Sequence, residues 1–206
     1  MQSRILWPTL AATLLAGTAF AQPVSLKGEF TPMNTGVQPA QNVTGTISAQ
    51  GSEGETTIEL EVSGLSPGMH MAHLHGFQTE DPQAASCPGE DADANGDGIV
   101  DLIETEEAAG VTLIPLTDDP ASLSIESDAY PVADEDGKAA YRQTVDLIGL
   151  DEAMGNQYGT SLALEKRVVF IHGVPEGAEL PDSVASLEGV PASATLPIAC
   201  AELRSD

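Results

Sequence analysis

The sequence predicts an antiparallel all-β domain, and three observations carry that prediction. Ile58, Leu60 and Val62 alternate with Glu59 and Glu61 in Thr57 to Val62, the period-two pattern of a half-buried strand. Several further short runs rich in Val, Thr and Ile are separated by Gly/Pro turns, the spacing of a sheet protein. Only one stretch, Asp101 to Ala109, reads as a helix.

In chain order, Arg4 gives a short positive start, Ile5 to Phe20 is mostly apolar, and Ala19-Phe20-Ala21 has the small-x-small form of a signal-peptidase site. Residues 1–21 are therefore expected to be a signal peptide cleaved after Ala21. Residues 22–206 are expected to form one domain, exported to the periplasm or secreted, with no membrane span. Leu26 to Phe30 alternates until Pro32 and Asn34-Thr35-Gly36 break it. Asn42 to Gln50 reads as a strand, and Gly51-Ser52-Glu53-Gly54 as a turn into Thr57 to Val62. Gly64-Leu65-Ser66-Pro67-Gly68 then turns the chain into a histidine-rich stretch. Gln78 to Gly110 is acidic and polar. Strand-like runs resume at Val111 to Ile114, Ala140 to Ile148 and Leu162 to Ile171. Glu176 to Ala194 is irregular, and Leu196 to Leu203 reads as a final strand. No internal repeat or second core is visible.

The formal net charge of −25 becomes −26 once Arg4 leaves with the signal. Such a surface repels nucleic acid and anionic lipid, opposes an anionic substrate and attracts cations. The charge reads most simply as a general adaptation such as salt tolerance. Cys87 and Cys200 are the only cysteines. In an exported chain they default to a disulfide. It would tie the C-terminal strand to the segment after the histidines.

Residues 93–104 match an EF-hand loop. Asp93, Asn95 and Asp97 fall at ligand positions one, three and five, with Gly98 at the sharp turn. Ile99 offers its carbonyl at seven, Asp101 lies at nine, and Glu104 at twelve chelates with both oxygens. No second EF-hand accompanies the loop, and Pro88 and Gly89 stand where an entering helix would be. The expectation is a structural calcium site; an acidic surface loop is the alternative.

Three of the four histidines lie in Gly68-Met69-His70-Met71-Ala72-His73-Leu74-His75-Gly76. On an extended strand His73 and His75 share a face. His172 is the one remaining histidine that can complete a three-imidazole metal site, for copper or for zinc. Met71 shares the His73 face by alternation, as core packing or as a soft thioether favouring Cu(I). Glu176, four residues after His172, is a candidate to hold a ligand histidine from outside, or a solvated loop carboxylate.

Gly68-Met69-His70-Met71-Ala72-His73-Leu74-His75 resembles the copper-site strand of Cu/Zn superoxide dismutases, G-x-H-G-F-H-x-H. Arg167-Val168-Val169-Phe170-Ile171-His172-Gly173 resembles the strand that delivers that family's last copper histidine. Ile198-Ala199-Cys200-Ala201 resembles one half of its disulfide, with Cys87 where the other half belongs. The resemblance runs from about Leu26 to Leu203. It implies a Greek-key β-sandwich or flattened barrel, carrying here the calcium loop as an insertion. It also implies copper on His73, His75 and His172, with His70 as a structural histidine beside them. Two departures stand out. No histidine lies between His75 and His172, so the bridging and zinc histidines are missing. Pro197 occupies the position of the arginine that guides superoxide, and the loop before it carries Glu176, Glu179, Asp182 and Glu188. Ala72-His73-Leu74-His75-Gly76 and the opening Leu26 to Gly36 are also similar to CHRD domains, extracellular β modules. The expected function is thus a copper-binding superoxide dismutase-like protein. The alternative is a non-catalytic CHRD-like or copper-delivery module, its ligand a metal ion or small molecule.

Overall fold

The alternation at Ile58, Leu60 and Val62 becomes the central strand β4 (Glu55–Ser63), whose apolar positions are all buried. β4 pairs with β3 (Thr44–Ser52) through a tight turn at Glu53 and Gly54, so the strand runs two residues further into the expected turn. β1 (Pro23–Glu29), β9 (Lys138–Val145) and β12 (Arg204–Ser205) complete a five-stranded sheet in the order β12-β1-β3-β4-β9. A second five-stranded sheet contains β2 (Thr31–Pro32), β6 (Ala72–Gly76), β7 (Val111–Pro115), β10 (Val168–His172) and β11 (Pro197–Glu202). Its order is β2-β11-β10-β6-β7. β5 (Gly68–Met69) and β8 (Val132–Ala133) form a small separate pair. The computed structural model describes residues 22–37, 42–125, 128–175 and 177–205. The expected signal segment 1–21 and Glu176 lie outside them.

The described strand pairings are antiparallel, and side chains from the two sheets share one core. Ile47, Ile58 and Leu60 from the first sheet meet Leu74, Val169 and Ile171 from the second, so the fold is an all-β sandwich. The second sheet also buries its outer face. Val168, Phe170 and Cys200 pack there against Ala85 and Ala109 from the long acidic segment. A Cys87–Cys200 disulfide, with Cα atoms 5.7 Å apart, pins that segment to β11.

The helical expectation is only partly met. α1 covers Glu106–Ala109, because Asp101 to Glu104 serve the loop before it. There Asp101 Oδ1 accepts from the backbone N–H of Ile103 and of Glu104, and Glu104 Oε2 accepts from Asp101 N–H. A second helix, α2 (Leu147–Tyr158), replaces the end of an expected strand. Asp146 caps it by accepting from Ile148 N–H at 3.0 Å, and Leu147, Leu150 and Met154 form its buried stripe. The expected strand from Leu162 starts only at Val168; Leu164–Lys166 forms a 3-10 turn instead. A short α3 (Ala192–Thr195) interrupts the irregular segment before β11. Among the described residues no helix is long and apolar enough to cross a membrane.

Candidate metal centre

Strand alternation sends Ala72 and Leu74 of β6 into the inter-sheet core and His73 and His75 to the outer face. β10 pairs antiparallel with β6, placing Phe170 opposite His73 and Val168 opposite His75. His172, two residues beyond Phe170, emerges on that same outer face, and its N–H donates to Met71 O at 2.8 Å. Ring centroids lie 6.1 Å apart for His73 and His75, 5.3 Å for His73 and His172, and 5.6 Å for His75 and His172. All three side chains are buried. One nitrogen from each lies within 4.8 Å of the other two, and among the described residues this is the group of His, Cys, Asp or Glu side chains that converges so.

Each ring has one committed nitrogen and one orphan. His172 Nδ1 lies 2.8 Å from the Thr195 carbonyl, which only accepts, so Nδ1 carries the proton and Nε2 the lone pair. His73 Nε2 lies 2.6 Å from the Tyr130 hydroxyl oxygen. That hydroxyl donates to Ile125 O at 2.7 Å, so its oxygen accepts from His73 Nε2–H and leaves the Nδ1 lone pair free. His75 Nε2 lies 3.1 Å from the Thr112 hydroxyl, which leaves Nδ1. The orphans, His73 Nδ1, His75 Nδ1 and His172 Nε2, have no hydrogen-bond partner although they are buried. A buried polar atom left unpaired costs about 1–3 kcal/mol. Three of them, one on each ring of a converging cluster, form a ligand set for a cation with an affinity for imidazole.

The electrostatics keep these lone pairs available. Burial pushes the His73 pKa well below the usual value, with His172 and His75 adding to the effect. His75 is lowered well below its usual value by burial and by His172, against a hydrogen bond to the Gly110 backbone. His172 is lowered to about 4 by burial, against its bond to Thr195. All three are neutral near pH 7.

A cavity of about 530 Å³ has the three rings in its wall, together with Met71. His70 is not part of the cluster. Its Nδ1 lies 2.9 Å from the His172 carbonyl and its Nε2 2.9 Å from the Ser66 carbonyl, so it fixes the backbone that carries His172. Gly76 serves close packing more than turning. It lies within β6, and a Cβ there would collide with the buried Arg167 guanidinium, which donates to the carbonyls of Leu162, Phe77 and Ser161. Tyr130, Thr112 and Thr195 are the partners that sequence reading missed. They lie outside every motif, and nothing in their local patterns marks them.

The acidic loop is closed by its own side chains. Asp93 accepts from the N–H groups of Gly96, Asp97 and Gly98; Asn95 from Asp97; Asp97 from Ile99; and Glu104 Oε1 from Ala94 and Asn95. Gly98 has φ +87°, the left-handed turn expected at that position. Ile99 is buried as an anchor. Asp97 also accepts from the Ser183 hydroxyl, and Asp101 Oδ2 from Ala185 N–H.

Fold and site together define a β-sandwich protein with a buried three-histidine cluster on the outer face of one sheet. No protein-family model and no curated protein matches the chain.

Proposed function

We propose that this chain is an exported copper-binding β-sandwich protein that holds one copper ion on His73, His75 and His172. The observation that carries the reading is the convergence of three buried imidazoles, one nitrogen of each within 4.8 Å of the others, with an unpartnered nitrogen on every ring. Three neutral imidazoles suit copper and zinc alike. The likeness of both histidine strands to the copper strands of Cu/Zn superoxide dismutases supports copper, as does the Met71 thioether in the cavity wall. Export is supported by the small-x-small pattern ending at Ala21 and by the disulfide. A copper ion bound there would supply one-electron exchange between its two oxidation states. The chain's own residues present the three lone pairs, fix the ring tautomers through Tyr130 and Thr195, and limit water at the rings.

The second reading is superoxide disproportionation, in which two superoxide ions and two protons give dioxygen and hydrogen peroxide. It is favoured by the cavity that opens onto the three rings. Among the described residues no lysine or arginine lines that cavity, so the reading ranks below metal binding. The test is metal analysis of the purified protein after copper loading, followed by a superoxide assay. One tightly held equivalent, lost in His73→Ala, His75→Ala and His172→Ala, is expected. Copper with no dismutation assigns a binding or delivery module, as the CHRD likeness implies. Failure to retain copper would refute the reading.

We also propose that the 93–104 loop takes calcium. The support is the all-oxygen donor set of Asp93, Asn95, Asp97, the Ile99 carbonyl, Asp101 and Glu104 at EF-hand spacing. EGTA is expected to lower the melting temperature, and an unchanged melting curve would end this proposal.

A further inference from the structure

Apart from the histidines, much of the cavity lining is apolar. Met71, Leu102, Val111, Ile125, Leu187 and Val190 line the 530 Å³ cavity, a volume within the range of small-molecule sites, roughly 300–1,000 Å³. The two threonines in the wall are already committed: the Thr112 hydroxyl to His75, the Thr195 carbonyl to His172 and the Thr195 hydroxyl to Ser186. Among the described residues, exposed Glu106 is the one Asp, Glu, Lys or Arg of the lining. None of the Lys and Arg residues among the described residues contributes to it. Leu187, one of these lining residues, is 47 % exposed, although a leucine at a closed wall would be covered.

From this lining we infer that the cavity takes a small organic molecule with an apolar body and one neutral nitrogen donor, in preference to an inorganic anion. The inference rests on the metal reading, because the donor meets the ion held by His73, His75 and His172. An anion entering here would pass Glu106, find no lysine or arginine among the described residues and leave the apolar wall wet. An apolar body instead removes Leu102, Leu187 and Val190 from water, which is favourable in proportion to the area covered.

The probes are 4-phenylimidazole, imidazole and azide. They are titrated into the copper-loaded protein by visible and electron paramagnetic resonance spectra, and into the zinc-loaded protein by thermal shift. Phenyl burial is expected to tighten 4-phenylimidazole at least about tenfold over imidazole. Azide is expected to bind more weakly than either. Leu187→Asp, at an exposed position that leaves folding intact, is expected to remove most of the phenyl advantage and leave imidazole unchanged. Equal affinities for the two imidazoles, or tightest binding by azide, would overturn the inference while the metal site stands. Metal analysis made beforehand separates that result from a protein that holds no copper, which overturns both.

Discussion

Replacing Tyr130 by Phe tests whether the tautomers of the cluster are set from outside it. The substitution keeps the ring that meets His73 edge-on at 5.1 Å and removes only the hydroxyl. That hydroxyl accepts from His73 Nε2–H at 2.6 Å and donates to Ile125 O. Without it, metal-bound His73 must keep a proton on Nε2 facing a phenyl ring, an unpaired buried donor that costs about 1–3 kcal/mol. The metal-free protein has an escape, because His73 can move its proton to Nδ1. The penalty therefore falls mainly on the metal-bound state. At about 1.4 kcal/mol per tenfold it amounts to roughly 10–100-fold in affinity. Competition with a chelator for Cu(II) measures it, and urea denaturation of the metal-free protein measures the remainder. Affinity within twofold of the unsubstituted protein, alongside a large loss in His73→Ala, would show that Tyr130 does not hold the ligand.

Acid is expected to destabilise the metal-free protein between pH 6.5 and about 4. The folded-state pKa values of the three histidines are depressed, so below the unfolded value of about 6.5 the unfolded chain binds more protons. Their contribution is complete above that value and falls by up to about 1.4 kcal/mol per histidine per pH unit as pH drops. A urea midpoint that stays level from pH 6.5 to 5 would contradict this. Removing the disulfide with Cys87→Ser and Cys200→Ser releases a loop spanning a separation of 113 residues. It is expected to lower stability by up to about 5 kcal/mol on the chain-entropy argument, read in the same denaturation assay. Gly76→Ala forces the Arg167 guanidinium off its three carbonyls and is expected to cost about 1–3 kcal/mol. An unchanged midpoint would mean that Arg167 moves freely.

The parts of the molecule legible in the sequence are those where side-chain period meets a buried face. β4 could be read because it has one wet and one dry side. His73, His75 and His172 could be read because two share a strand face and a single histidine remained to join them. α2 could not, because Val145, Leu147 and Ile148, with Asp146 between them, read as a continuation of the strand before it. Gly149 and Gly155 also weaken its helical signal, so the Asp146 cap decides the matter only in three dimensions. The tautomer-setting partners were illegible for a related reason. Tyr130 lies 57 positions from His73, and Thr195 lies 23 from His172, each placed by tertiary packing.

The outer face of the second sheet is where fold and site become one argument. A two-sheet sandwich needs only one buried face per sheet, yet β6 and β10 are buried on both. The cover on the second face is loop, and three linkages hold it in place. The disulfide fastens Cys87 to β11. Asn34 donates to the carbonyls of Val100 and Pro197 and accepts from Val100 N–H, joining the acidic loop to the start of the same strand. Asp97 and Asp101 hold Ser183 and Ala185, fixing the segment that supplies Leu187 and Val190 to the cavity. Leu102, near the end of that loop, also lines the cavity. The acidic loop thus contributes Leu102 to the wall and holds the segment that contributes Leu187 and Val190. Two carboxylates and one leucine link that loop to the wall.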